Sequence, residues 1–364
     1  MSLLPDAATY RALVDGSRTG AMAGLLRGLL AGCSVPYGAA VIMRNLLYDT
    51  QLLKATAADV PVICVGNLTL GGTGKTPLVA WLARLLLEFN TRPAIVSRGY
   101  AASAGSVSDE AAELAMLLPG VGHVANRDRV AGVKEAIDQH AARIAILDDG
   151  FQHRRLARTL DLVAVDATDP FGCGHLFPRG LLREPLSGWR RADAVILTRS
   201  SSVDAARRAT IKANVLRRAV TKRPVWAETT HAPRCLRTAE GRTSPLTMLT
   251  GTRVAIVSGI GNPHAFRNTV ASTGCVITSE TILPDHHHYK NSDLAQLGRA
   301  ARTTAAELIV TTVKDLVKIR ETEVHGVPIM ALEIAIEFLQ GEADLRALID
   351  RAVALAPHDH STDA

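Results

Sequence analysis

A short apolar run, Pro61-Val-Ile-Cys-Val65, leads into Gly66-Asn-Leu-Thr-Leu-Gly-Gly-Thr-Gly-Lys-Thr-Pro77 and then into a helical pattern. The order strand, Gly-rich loop, Lys-Thr, helix constrains this chain more than any other feature. Glycines let backbone N–H groups turn inward, because no Cβ blocks a close approach or a positive φ. The helix start adds unpaired N–H groups and a partial positive charge. Such a loop fits the phosphates of a nucleoside triphosphate. Thr69, Leu70, Gly71, Gly72, Thr73 and Gly74 are the expected cradle. Lys75 is expected to reach the β- and γ-phosphates, and the Thr76 hydroxyl to ligate Mg²⁺. The usual pattern opens with Gly where Thr69 stands; Gly71, Gly72 and Gly74 supply the flexibility instead.

Beyond residue 49 the pattern alternates between strand and helix. Apolar runs at 62–65, 94–96, 143–147, 160–165 and 194–197 read as strands, with helical periodicity at 78–88, 109–118, 129–140 and 203–218 between them. Continuously apolar strands separated by helices imply a sheet buried on both faces. The expected fold is α/β: a P-loop NTPase-type doubly wound, mostly parallel sheet over residues 51–230. A polar connection is expected at 231–250 and a second, smaller α/β domain at 251–356. The tail, 357–364, is polar and reads as frayed.

Residues 1–50 form a separate segment. Leu25, Leu26, Leu29 and Leu30 share one helical stripe, and Val41, Ile42, Leu46 and Leu47 continue it. The uncharged run between Arg27 and Arg44 is short for a span of about 20 residues. One or two amphipathic helices docked in a membrane interface are expected, with arginines at headgroup level. Leu30-Ala-Gly-Cys33 has the look of a lipoprotein cleavage site. Asp6, Asp15 and Arg27 precede it, and export would remove the loop from its nucleotide, so that reading is rejected.

Charge and composition narrow the partners. The net charge of +6 suits a phosphorylated substrate or an anionic lipid surface. Aromatic residues are only 4% of the chain and do not interleave with Lys or Arg, which argues against a nucleic-acid platform. The five cysteines are scattered without a C-x-x-C pair, as in a reducing compartment. No obligate protein partner is evident.

Four further motifs bear chemistry. Ala145-Ile-Leu-Asp148-Asp149-Gly150 is a strand ending in two acids, on the crevice edge of a parallel sheet. Asp-Gly alone reads as a turn; beside a phosphate loop Asp148 and Asp149 read as Mg²⁺ ligands, in unequal roles if they point to opposite sides. Ser108-Asp109-Glu110 reads by itself as a helix start with acids in its first turn. His175–Pro185 is a Pro/Gly-punctuated loop carrying Arg179, Arg183 and Glu184, expected at the substrate edge with Glu184 a further metal ligand. Asp285-His-His-His288 is expected to present one His to the crevice, paired with an acid, rather than a zinc site.

Together these segments resemble the tetraacyldisaccharide 4′-kinase family, the lipid A 4′-kinases of Gram-negative bacteria, over nearly the whole chain. The resemblance rests on the order of Pro36-Tyr-Gly38, Arg44-Asn-Leu-Leu-Tyr48, the loop ending in Lys75-Thr-Pro77, Ser97-Arg-Gly-Tyr100, Ser108-Asp-Glu110, Asp148-Asp-Gly-Phe-Gln-His153, Leu182-Arg-Glu-Pro185, Gly259-Ile-Gly-Asn-Pro263, Asp285-His-His287 and Thr312-Val-Lys-Asp315. It implies ATP- and Mg²⁺-dependent phosphorylation of the 4′-hydroxyl of a lipid-linked disaccharide 1-phosphate at the inner membrane's cytoplasmic face. It also implies that Asp109, oriented by His286, activates that hydroxyl with Lys75 as the third catalytic residue, and that domain closure assembles the pair. Ser108 and Val313 depart from the family's usual Gly and Glu. A soluble P-loop ligase would not need residues 20–48. A guanine-nucleotide switch would carry Asn or Thr where Val313 precedes Lys314.

Overall fold

The computed structural model describes residues 7–99, 109–219, 221–285 and 287–354. The chain opens with α1 (Ala7–Val14) and the long α2 (Ala21–Asp49). The first α/β set is β1 (Val62–Gly66), α3 (Lys75–Glu88), β2 (Pro93–Ser97), α4 (Asp109–Leu117), β3 (Gly122–Ala125), α5 (Arg129–His140), β4 (Ile144–Asp148), β5 (Leu160–Asp166), β6 (Ala194–Thr198), α6 (Ala205–Arg218) and β7 (Val225–Arg237). The second set is β8 (Thr243–Ser244), β9 (Arg253–Ser258), α7 (Pro263–Ala271), β10 (Val276–Ile282), α8 (Asn291–Thr303), β11 (Leu308–Thr312), α9 (Val313–Ile319), β12 (Glu323–Val324), β13 (Val327–Gln340) and α10 (Glu342–Val353).

All the strands join in one sheet of order β10-β9-β11-β13-β7-β6-β5-β1-β4-β2-β3, with β12 and β8 appended. Every neighbouring pair along that path is parallel except β7 with β13. Strand alternation explains why both faces are buried. Ile63 and Val65 enter one core while Val62 and Cys64 enter the other. Helices on both faces then cover the sheet, as a parallel arrangement demands.

One sequence expectation changes here. Residues 231–237 are strand and not connection: β7 runs on past Ala227 and pairs antiparallel with β13 from Glu228↔Gln340 to Arg237↔Ala331. The polar residues that suggested a linker are ladder residues on partly covered ground. The second α/β set is thus joined to the first through this ladder. One core runs from Ile63 and Leu82 through Ala227 to Ile309, Leu316 and Leu345 without a break. Helix α3 itself packs on β13 as well as on β1.

The N-terminal segment is one long helix after a short one. Helix α2 has 29 residues, with Pro36 inside it, and rises about 43 Å at helical pitch. It is long and apolar enough to cross a membrane by length and composition. Its two stripes differ. Ser34, Tyr37, Gly38, Val41 and Asn45 lie at helical spacing on the side facing the loop before and around Arg183. Met22, Leu25, Leu29, Ile42, Met43 and Leu46 lie away from it, each more than half exposed.

Candidate active site

The Gly-rich loop is held on both sides. Leu70 N–H donates to Leu181 O (2.6 Å) and Arg183 N–H to Leu68 O (2.7 Å), while Thr69 bridges Leu182 in antiparallel fashion. That pairing explains the departure at Thr69. An extended backbone suits a β-branched residue, so no glycine is needed there. The second limb does need glycine. Gly71 and Gly74 have φ of 103° and 77°, and a Cβ on Gly74 would lie 2.9 Å from His231 Nε2. Thr73 O accepts from Thr198 Oγ1 at 2.9 Å. Gly74 caps α3, so Lys75 and Thr76 open that helix and the loop amides meet its positive end.

Lys75 does not extend into solvent. Its Nζ lies 3.2 Å from Asn67 Oδ1 and 3.3 Å from Asp149 Oδ1, with the side chain 14% exposed. Asn67 in turn donates to Thr69 O (2.7 Å), which fixes the amide. The ammonium is thus poised at the foot of the loop by a residue the sequence reading passed over.

Asp148 and Asp149 fare differently, because strand geometry stops between them. Asp149 takes a left-handed φ of 51° and turns to Lys75 and to Arg183, whose Nη1 lies 2.8 Å from Oδ2 and 3.0 Å from Oδ1. Burial would raise its carboxyl, but these two cations hold it below the usual range. Asp148 stays in the strand, buried, and no side-chain hydrogen bond or ion pair among the described residues reaches its carboxyl. Burial pushes its carboxyl up to about 7, with Lys75 opposing and Asp149 and Glu110 reinforcing. A buried carboxylate without a direct hydrogen bond or ion pair among the described residues is a place for a cation. No group of three or more His, Cys, Asp or Glu suited to a metal occurs among the described residues. A cation here would take one or two carboxylates, the Thr76 hydroxyl and ligand oxygens, the donor set that suits Mg²⁺.

Glu184 takes part in a different set of contacts. It is fully buried, and both oxygens are taken by Arg191 (2.8 and 2.9 Å), with Gln152 Nε2 at 2.9 Å and Asn45 Nδ2 at 3.1 Å. With four donor contacts on its two oxygens, it is a junction between α2, Gln152 and Arg191. Gln152 also donates to Asn67 O (2.8 Å), and Tyr37 Oη to Arg183 O (2.7 Å). One chain of contacts therefore runs from α2 through Glu184 and Gln152 to the phosphate loop. Arg129 is a further group the sequence reading missed: buried at the start of α5, it lies within electrostatic reach of Asp148 and Asp149. A basic residue at a helix start is the one signal that could have flagged it.

Asp109 begins α4, with Glu110 beside it in the first turn. Its Oδ2 lies 3.9 Å from Lys318 Nζ on α9, so α4 already abuts the second α/β set. His286, the expected partner, lies outside the described residues, as do Tyr100 and Ser108. Of its neighbours, His287 Nε2 pairs with Asp293 Oδ2 (2.9 Å) and Asp285 with Lys314 (2.9 Å).

Known proteins give this geometry a context. The family model described as Tetraacyldisaccharide-1-P 4'-kinase matches residues 26–354. The tetraacyldisaccharide 4'-kinase of Anaeromyxobacter sp. (strain Fw109-5) is 38% identical over 337 residues, covering 87% of this chain and 89% of the relative. That of Syntrophus aciditrophicus (strain SB) is 39% identical over 329 residues, covering 84% and 88%. Among solved structures, LpxK from Aquifex aeolicus in complex with ATP aligns with a TM-score of 0.72 at 30% identity, covering 90% of this chain and 99% of that one.

Proposed function

The chain belongs to the tetraacyldisaccharide 4′-kinase family, and from that membership we propose how its residues divide the reaction. It is an ATP-dependent kinase that transfers the γ-phosphoryl group to the 4′-hydroxyl of a tetraacylated glucosamine disaccharide 1-phosphate, a late step of lipid A biosynthesis. The amides of residues 69–74 and the Lys75 ammonium hold the phosphates and meet the charge that builds on them during transfer. Asp148 and Thr76 hold Mg²⁺, which when bound neutralises phosphate charge. Asp149, tied to Lys75 and Arg183, fixes the lysine's direction. Asp109, oriented by His286, accepts the proton of the sugar hydroxyl; the new O–P bond forms in line as the bridging bond to ADP breaks. General-base action contributes about 10²–10⁴ in rate.

The observation that carries this reading is Lys75 standing between Asn67 and Asp149 at the foot of a glycine loop that opens α3. The exposed apolar stripe of α2 supports docking at the cytoplasmic face of the bacterial inner membrane, since the acyl chains of the substrate cannot leave the bilayer cheaply. An anionic leaflet would add to this through the chain's basic balance.

The test is transfer of label from [γ-³²P]ATP to a tetraacyldisaccharide 1-phosphate in mixed micelles, with Lys75→Ala as control. Transfer is expected for the native chain and a loss of about 10²-fold or more in the variant. Near-normal turnover in the variant would sink the role given to Lys75. ATP hydrolysis without transfer would send the search to another hydroxyl acceptor.

A further inference from the structure

Lys318 is an unusual lysine. Its side chain is only 9% exposed, and its Nζ lies 3.1 Å from Asp315 Oδ1 and 3.9 Å from Asp109 Oδ2. The ammonium also sits 5.6 Å from the centre of the Tyr289 ring. It is at ion-pair distance from two carboxylates, yet it completes no well-formed hydrogen bond among the described residues. Lysine has three donors, so this buried ammonium retains hydrogen-bonding capacity beside Asp109.

Its anchor is rigid. Asp315 is fully buried; its Oδ2 accepts from Gly259 N–H (2.9 Å) and Thr312 Oγ1 (2.7 Å). A flexible side chain ending on an immobile carboxylate becomes a fixed charge. That charge enters an acidic junction. Asp109, Glu110 and Glu113 come from α4, Lys314, Asp315 and Lys318 from α9, and Asp285 and Tyr289 from the segment before α8. Burial, with Glu110, Asp315 and Asp109 adding to it against Lys314, pushes the Glu113 carboxyl up to about 7. Lys318 reaches into this junction to 3.9 Å from Asp109 Oδ2.

We propose that Lys318 is a positioning residue for phosphoryl transfer: from across the junction between the two α/β sets, its fixed positive charge faces the Asp109 carboxylate and aims it. The inference rests on the reading of Asp109 as the acceptor of the hydroxyl proton. It also gives α9 a task in the reaction that the phosphate loop alone does not explain.

The experiment is kcat against pH at saturating Mg²⁺-ATP and lipid for Lys318→Gln and Lys318→Arg, with Asp109→Asn in the same assay. Gln keeps an N–H donor on a flexible side chain and removes the charge. We expect Lys318→Gln to lose about tenfold or more at pH 7, with its acidic limb displaced upward by about one unit and much of the rate regained toward pH 9. Lys318→Arg should stay within about threefold with the limb in place, because the charge is kept. A uniform loss at every pH, or an unmoved limb, would overturn the proposal. Should the Gln variant not fold, a displaced limb in the Arg variant would overturn it equally. Near-normal turnover of Asp109→Asn would instead remove the reading beneath it. Loss in Asp109→Asn with an unmoved limb in Lys318→Gln would remove the role of Lys318 alone.

Discussion

Two adjacent aspartates show how position sets the chemistry of one residue type. Asp149 is met by two cations and lies below the usual carboxylate range, while Asp148 is buried with no direct ion pair among the described residues and is pushed up to about 7. The second arrangement costs stability when no metal or nucleotide is bound. A carboxyl at about 7 in the folded chain and about 4 in the unfolded one binds more protons when folded between those values. Stability therefore falls as pH rises from about 4 to 7, and the penalty is complete above 7. Asp148→Asn, unfolded thermally in EDTA without nucleotide, should be more stable than the native chain at pH 8 by roughly 2–4 kcal/mol, and no more stable near pH 4. Equal stability at pH 8 would show that the carboxylate has a compensating partner. The acids themselves were legible, as a strand ending in Asp-Asp beside a phosphate loop. Their division of labour was not, because it depends on Arg183 and Lys75 converging on one of them. The surroundings of Glu184 were illegible for the same reason: spacing cannot reveal that Arg191, Gln152 and Asn45 meet its oxygens.

Helix α2 works as an element with two faces. One stripe is fastened to the loop around Arg183 through Ser34, Tyr37 and Asn45, and the other leaves Leu25 and Leu29 exposed. A helix fastened along one side can bury the opposite side in a lipid interface without leaving the fold. Each leucine contributes about 1.5–3 kcal/mol when fully buried. The Leu25→Glu, Leu29→Glu double variant should lose about tenfold or more in sedimentation with anionic vesicles, with an unchanged melting temperature. A loss of melting temperature without loss of vesicle binding would mean that this stripe packs on protein. The apolar spacing of this helix could be read from the chain. Which stripe meets the loop could not, because Pro36-Tyr-Gly38 carries no sign of the carbonyls it meets.

For the whole molecule, the decisive join is the antiparallel pair β7–β13, which fuses two α/β sets into one sheet. A buried carboxylate clamps that join. Glu333 on β13 is fully buried and meets Arg84 of α3 (2.8 Å) and Arg237 of β7 (2.9 Å), with Arg234 at 3.3 Å. Burial raises this carboxyl, but the arginines outweigh it and hold it below its usual range. Glu333→Ala would strand Arg237, itself buried, and should cost about 3–5 kcal/mol in denaturant unfolding. A cost under about 1 kcal/mol would mean that the join rests on apolar packing alone.

The local sequence determined the elements and the phosphate loop, because strand, glycine turn and helix cap are set by neighbours a few residues apart. It determined the identity of most chemical groups as well, through the order of short motifs along the chain. Only the tertiary structure decided that residues 231–237 form a ladder and not a linker, that Lys75 is aimed by Asn67, and that Lys318 meets Asp109. Each of these depends on contacts between residues far apart in sequence. Burial and charge at such contacts are summed over everything that packs there, and spacing along one segment carries no record of that sum.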